Sequence, residues 1–169
     1  MTKNPVTIGF ILYALTMLAF FIVYYFFANA NYFETTMQVN AFGMTFLYVL
    51  AGFVSTYWLR VGTLITYPQA FKQTFLTLFT GGILSVFSIF AFLNYVDTDA
   101  RDLLNHQYIQ TELDNLDESY AKLKVEAANQ KDRTKVKDLE ENYTGAKLAR
   151  EAALKENRNY FSFKFMSAV

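Results

Sequence analysis

The sequence of 169 residues has no cysteine, only two prolines and few charged side chains. The lack of cysteine excludes disulfide bonds, thiolate metal sites and cysteine nucleophiles. Charged residues make up 18% of the chain, below the quarter or so that is usual in soluble domains. The formal net charge is zero, so no global electrostatic field favours nucleic acid as a partner.

The charges that are present are concentrated in the second half of the chain. Of the 15 acidic residues, 14 lie between Asp97 and Glu156, and Glu34 is the only acid in the first 96 positions. That N-terminal region also holds just three bases, Lys3, Arg60 and Lys72. An ordinary soluble domain is therefore excluded for residues 1–96.

The uncharged stretches between these residues are long enough to cross a bilayer. They comprise 30, 25 and 24 consecutive positions, whereas a transmembrane helix needs about 20 apolar residues. The pattern predicts three transmembrane helices in region 1–96. A cleaved signal peptide is the competing interpretation of the first stretch, but its apolar run is too long for one. The predicted helices span about 6–28, 38–59 and 72–96.

The few basic residues predict an orientation, because short cytoplasmic loops are enriched in Lys and Arg. Lys3 precedes the first span, the first loop has no base, and Arg60 and Lys72 flank the second loop. We therefore expect a multi-pass protein of the bacterial inner membrane with a cytoplasmic N-terminus. Residues 97–158 would then lie in the periplasm.

Small side chains recur on one face of the third span. Thr77, Gly81, Ser85 and Ser88 follow one another at spacings of four, four and three, which places them where a neighbouring helix can approach closely. The face either packs within the chain or binds another membrane protein.

From Asp97 to Arg158 the composition is charged, alanine-rich and free of proline, which is typical of solvated helix. An apolar stripe predicts a first helix over about 99–128, and a shorter stripe predicts a second over about 133–158. Each stripe is close to the shortest that indicates a coiled coil. The stripe of the first helix consists of Ile109, Leu113, Leu116, Tyr120, Leu123 and Ala127.

Two arrangements of this region are open, a hairpin of two helices or one straight helix. The segment 159–169 is again aromatic and apolar, with Lys164 as its only charge. This composition favours a return to the membrane, and hence a hairpin. The segment is a possible start of a fourth span.

The segment Ile65-Thr66-Tyr67-Pro68-Gln69-Ala70-Phe71-Lys72, the apolar span after it, the exit Asn94-Tyr95-Val96-Asp97 and the charged helical insert together resemble a known family. It is the bacterial membrane family catalogued as domain of unknown function 4199, found mostly in the Bacteroidetes. The resemblance implies four spans, the last one after the insert. It implies no activity and no functional residues.

Catalytic chemistry is poorly represented in the sequence. His106 is the only histidine, and no phosphate-binding loop, dinucleotide fingerprint or nucleophile motif occurs. Asp97, Asp99 and Asp102 lack the close spacing and the turn glycine of a hard-cation site. We therefore expect no enzyme, no cofactor and no metal.

The expected fold is all-α, a polytopic membrane protein with an extramembrane helical hairpin. The expected function is that of a non-catalytic accessory or scaffolding subunit, bound to other membrane proteins or to further copies of itself within the lipid bilayer. The alternative is a small oligomeric channel or transporter lined by Thr77, Thr80, Gly81 and Ser85. An enzyme whose site is assembled from the aspartates at the membrane exit and His106 is the third possibility. The predicted partner-binding residues are Gly81, Ser85, Ser88, Leu113, Leu116, Tyr120 and Leu123.

Overall fold

The computed structural model of the protein describes residues 4–28, 31–61, 64–129, 133–156 and 158–162. The chain divides into two compact units, Met1–Thr98 and Asp99–Val169. All regular structure in the described residues is helical. The predicted all-α class is therefore confirmed.

The first unit contains three helices that are long and apolar enough to cross a membrane. The first span is α1, Pro5–Phe27. The second span, Tyr32–Arg60, consists of α2 (Tyr32–Gln38), a π-helical turn (Val39–Met44) and α3 (Thr45–Arg60). The third span, Tyr67–Val96, joins α4 (Tyr67–Ala91) to a second π-helical turn (Phe92–Val96).

The second and third spans begin earlier than the charge pattern predicted, at Tyr32 and Tyr67 rather than near 38 and 72. Glu34 lies in the first turn of α2, where the positive end of the helix dipole favours an acid. The start of α4 is fixed by Thr66, whose backbone N–H donates to Gln69 Oε1 at 2.9 Å. Charged residues thus marked the edge of the apolar run and not the start of the helix.

The closest approach within this unit is between α1 and α4. A Cβ atom added at Gly9 would lie 2.8 Å from Thr80 Cβ, and one at Gly81 would lie 2.8 Å from Leu12 Cδ2. Leu12 is among the most deeply buried side chains of the protein. The two glycines therefore let the helices pack more closely than any larger residue would allow.

Large apolar side chains cover the outside of the three spans. Phe10 is 53% exposed, Phe53 71% and Val86 65%. Exposed apolar surface on this scale is unfavourable in water and is expected where the surrounding solvent is lipid. The arrangement supports the interpretation of these helices as membrane spans.

The second unit contains α5, Thr98–Asn129, and α6, Arg133–Lys155. Their contacts pair increasing positions on α5 with decreasing positions on α6, so the two helices lie antiparallel. Glu112 pairs with Arg150 at 3.1 Å, and Lys124 pairs with Glu140 at 3.2 Å. Among the described residues, α5 and α6 are therefore two helices that lie side by side.

After α6 the chain folds back onto the start of α5. The buried Asn105 donates through Nδ2 to the backbone oxygen of Arg158, and its Oδ1 accepts from the backbone N–H of Tyr160, both at 2.9 Å. Residues 158–162 are not helical. Most of the predicted start of a fourth span, residues 163–169, lies outside the described residues.

Candidate functional site

Hydroxyl groups join the three spans near the end that contains Pro5. The hydroxyls of Ser55 and Thr77 are 2.7 Å apart, and Thr77 also lies 3.2 Å from the backbone oxygen of Pro5. Both side chains are fully buried. A second pair, Thr56 and Thr74, is 2.6 Å apart. Because a hydroxyl in hydrocarbon needs a partner, these pairs fix how the helices face one another.

The predicted small-residue face of the third span lies against α1. Gly81 contacts Leu12, and the buried Ser85 donates to the backbone oxygen of Gly81 at 2.7 Å. The hydroxyl of Ser88 is 3.0 Å from that of Tyr13. The face therefore packs within the chain, which is the first of the two interpretations given above. Binding of another membrane protein to the same face stays a prediction, and it requires that α1 move away.

This packing also bears on the channel alternative. Thr77 and Ser85, two of the four side chains expected to line a path, are buried between helices. Gly81 is covered by Leu12. In the described part of the chain these residues line no open passage, and a channel stays an untested prediction.

A different surface of the spans is open. A groove of about 710 Å³ runs between the second span and α4. Every fourth residue of the second span from Asn40 to Thr56 lines this groove. These side chains therefore form one row along the helix. The lining residues are Asn40, Met44, Thr45, Tyr48, Val49, Gly52, Phe53, Thr56, Thr74 and Leu78.

Three polar side chains of this groove have no hydrogen-bond partner in the part of the chain that the structure describes. Among the described residues, none accepts from or donates to the side chains of Asn40, Thr45 or Tyr48, whereas Thr56 and Thr74 bond to each other. The Tyr48 ring lies beside Gly82, where an added Cβ would be 3.6 Å from Tyr48 Cε1. The groove therefore offers hydrogen-bonding groups at its surface.

A second groove adjoins this one at Met44, which lines both. That second groove, about 350 Å³, lies between α1 and the second span, and only apolar residues line it, such as Leu15, Ile22 and Leu50. Lipid chains can pack against an apolar surface of this kind, because it contains no group that needs a hydrogen bond. The groove at Asn40 also exposes polar side chains.

Asn40 lies in the π-helical turn Val39–Met44. Such turns carry one extra residue per turn and occur often at functional sites in helices. The turn changes the register between α2 and α3. Space remains around Gly43 in the same turn. Among the described residues, a Cβ added there would meet only Val39 Cγ1, at 3.6 Å.

Aromatic residues and one carboxylate form a cluster where the third span ends. The Tyr24 hydroxyl donates to Asp97 Oδ2, and the ring of Phe92 meets that of Tyr24 edge to face at 5.2 Å. Tyr32 is almost completely buried. The Asp97 carboxylate therefore accepts a hydrogen bond from a residue of α1. Asp102 forms an ion pair with its neighbour Arg101 at 2.8 Å. The described residues contain no cluster of metal-ligating side chains.

The predicted stripe of α5 is mostly covered by α6. Leu113 is buried with Ile109 and Ala153, and Leu116 is half-buried. Tyr120 stacks on Tyr143 with ring centroids 4.0 Å apart. Leu123 remains 47% exposed. The stripe therefore forms much of the contact between the two helices, and Leu123 is its exposed member among the side chains that the structure describes.

The stacked tyrosines are the centre of a symmetric set of contacts that we call the tyrosine clasp. Tyr120 donates to Glu140 at 3.3 Å, and Tyr143 donates to Asp117 at 2.7 Å. A lysine four residues after each tyrosine bonds both its hydroxyl and the same carboxylate. The residues of the clasp are Asp117, Tyr120, Lys124, Glu140, Tyr143 and Lys147.

The clasp comes from a short internal repeat. Residues 116–124 have the order Leu-Asp-Glu-Ser-Tyr with Lys four places later, and residues 139–147 have Leu-Glu-Glu-Asn-Tyr with Lys four places later. Antiparallel packing of two like segments produces a local two-fold axis through the rings. Apolar periodicity does not reveal this repeat, whereas comparison of the sequence with itself does.

The clasp shifts the ionisation of its charged groups. Hydrogen bonds from Tyr143 and then Lys147 hold the pKa of Asp117 below its ordinary value. Hydrogen bonds to Tyr143 and Asp117 raise the pKa of Lys147, and those to Tyr120 and Glu140 raise the pKa of Lys124. All three groups keep their charges at neutral pH.

Comparison with known proteins gives one match. A family model described as "Protein of unknown function (DUF4199)" matches residues 7–167 of the chain. No curated protein and no solved structure matches it.

Proposed function

The chain belongs to the DUF4199 family, whose description assigns no activity, and we propose that it is a non-catalytic accessory or scaffolding subunit of a larger membrane complex. Its partners would be other membrane proteins or further copies of the chain. The second unit would serve as an extramembrane helical hairpin whose exposed residues, Leu123 among them, provide a further contact.

The observation that carries the proposal is the poor burial of the second span. Within its most apolar window only 11% of the residues are buried, against 28% in the first span and 22% in the third. The same span forms the wall of the groove that contains Asn40 and Tyr48. Polar groups without partners at a membrane helix surface favour association with another helix.

The acidic groups that an enzyme would need have structural partners. Asp97 accepts from Tyr24, and Asp102 bonds Arg101 and Asn159. His106 is exposed on α5. These contacts support a binding role over catalysis.

We also propose that the membrane is the inner membrane of a bacterium, with the N-terminus in the cytoplasm and residues 97–158 in the periplasm. The support is the positive-inside bias of Lys3, Arg60 and Lys72. A cysteine placed at residue 106 would test the orientation, because a membrane-impermeant thiol reagent added to intact cells should label it.

Affinity capture from native membranes in polymer nanodiscs tests the proposal. We expect the tagged chain to be recovered with a partner chain, or with a second copy, in a fixed ratio. Val49→Trp would fill the groove and should lower that recovery severalfold.

The matched control is Val54→Trp, which changes the same residue type on the same helix outside the groove residues. It should leave recovery unchanged. Capture of the wild-type chain as a lone monomer would contradict the proposed function. Equal effects of the two tryptophans would show that the groove is not the contact.

A further inference from the structure

We propose that a second copy of this chain occupies the groove, in a two-fold dimer that places Asn40 beside Asn40 of that copy. The inference rests on the proposed function, because it names the partner for the same groove. Its argument uses the depth of the polar side chains in the membrane, their lack of partners, and the symmetry of amide hydrogen bonding.

The depth of Asn40 follows from the length of the second span. The span has 29 residues, or about 43 Å at about 1.5 Å per residue, so it exceeds the hydrocarbon core of about 30 Å. Asn40 lies about six residues before the midpoint, hence about 9 Å from the bilayer centre. Tyr48 lies close to the centre itself. With the span centred on the bilayer, both side chains lie within the hydrocarbon.

Neither side chain can satisfy itself at that depth. Thr16 and Ser85 bond to the backbone oxygen four residues before them, but Asn40 and Tyr48 make no such bond among the described residues. The short side chain of Asn40 cannot reach the headgroups. Water and lipid chains do not supply donors or acceptors there, so a protein group must.

A second copy of the chain supplies the missing hydrogen-bonding group, because it carries the same asparagine and tyrosine. A two-fold axis along the membrane normal brings each residue opposite its own counterpart at the same depth. The asparagine amide is both a donor and an acceptor, so two such amides can bond reciprocally. The tyrosine hydroxyl has the same property. A different protein would need a matching polar residue at this level of the membrane.

The shape of the groove fits a helix that crosses it. Asn40, Met44, Tyr48 and Gly52 follow at intervals of four, which is the ridge that packs against an equivalent ridge of another helix. Gly52 is buried at the floor, where an added Cβ would be 3.1 Å from Thr74 Cγ2, so this glycine serves the contact with α4. The rest of the row, Asn40, Met44 and Tyr48, lines the open part of the groove.

The lack of cysteine in the chain makes the test direct. Single cysteines are introduced by Asn40→Cys and by Met44→Cys, the second of which leaves the asparagine in place. The control is Phe42→Cys, two residues away on the opposite, exposed side of the same turn. Each full-length variant is oxidised in native membranes and again after reconstitution in lipid nanodiscs, and covalent dimers are quantified without reductant.

We expect severalfold more dimer from the cysteines at 40 and 44 than from the one at 42, and nanodisc particles that contain two chains. Equal cross-linking at all three positions would indicate random collision and overturn the proposal, as would particles with one chain. Cross-linking at 40 to a chain of different mass would overturn the second-copy assignment and leave the proposed function standing. Failure to recover any partner or second copy would remove both.

Discussion

The two compact units use polar side chains in opposite ways. In the spans, polar contacts are few, short and buried, as in the pair Ser55 and Thr77 at 2.7 Å. In the second unit they are numerous and, apart from those of the buried Asn105, mostly exposed, as in the tyrosine clasp. Water competes for the second set and not for the first. A single hydroxyl pair should therefore matter more in the spans than an ion pair does between α5 and α6.

The largest expected effect comes from the contact between α1 and α4. Gly81→Ala would place a Cβ 2.8 Å from Leu12 Cδ2 and 3.0 Å from the backbone oxygen of Gly9, so a helix has to shift. We expect a loss of about 1–3 kcal/mol in stability, measured by thermal unfolding in detergent or nanodiscs. At Gly82 the nearest atom is 3.6 Å away, so Gly82→Ala should be close to neutral. Equal losses at both glycines would contradict this packing.

The hydroxyl pair inside the spans should give the next largest effect. Thr77→Val keeps the shape of the side chain but leaves the buried Ser55 hydroxyl without its partner. We expect a loss of about 1 kcal/mol in the same assay. Thr80→Val is the matched control, because the described residues provide no hydrogen bond to Thr80. A loss at Thr80 as large as that at Thr77 would assign the effect to packing.

The tyrosine clasp should contribute through its rings more than through its charges. Tyr143→Ala removes the stack on Tyr120, and we expect a loss of about 1 kcal/mol, seen as faster hydrogen exchange of the α5 and α6 amides. Tyr143→Phe keeps the stack and should cost less. Leu148→Ala, at an exposed position on α6, serves as control. If Tyr143→Phe were as damaging as Tyr143→Ala, the hydroxyl contacts would be the dominant part.

The smallest expected effect is the response of the clasp to pH. The pKa of Asp117 is lowered from 3.8, so its contribution is full above that value and is lost as the pH falls through the lower, folded-state pKa. The pKa of Lys147 is raised from 10.5, so its contribution is full below that value and is lost only as the pH rises beyond it. Amide protection of α5 and α6, corrected for intrinsic exchange, should stay constant between these limits. A change near neutral pH would show that another group controls the contact.

The sequence predicted the helices well because lipid imposes a long apolar run on any span. It predicted the small-residue row of α4 for the same reason, since close helix contacts in lipid need small side chains. Composition could not decide which helix covers Gly81, because α1 and an outside partner satisfy the same row equally. The contact between Gly81 and Leu12 depends on the tertiary fold, which composition does not specify.

The groove at Asn40 was missed because of a boundary error. A span predicted over about 38–59 places Asn40 close to its edge. The helix begins at Tyr32, and the depth that we propose for Asn40 rests on this earlier start. The clasp was missed for a different reason, because a repeat of polar residues leaves no trace in apolar periodicity.

The hydrogen bonds of Asn105 fix where the chain lies after α6. Its single amide group holds the backbone on both sides of Asn159, through Arg158 and Tyr160. The rings of Tyr108 and Tyr160 meet edge to face at 5.8 Å beside it. Whatever length the two antiparallel helices have, Arg158 and Tyr160 are therefore held level with the first turns of α5. Insertions or deletions matched at the far ends of α5 and α6 would lengthen or shorten the helix pair and leave the contacts of Asn105 unchanged.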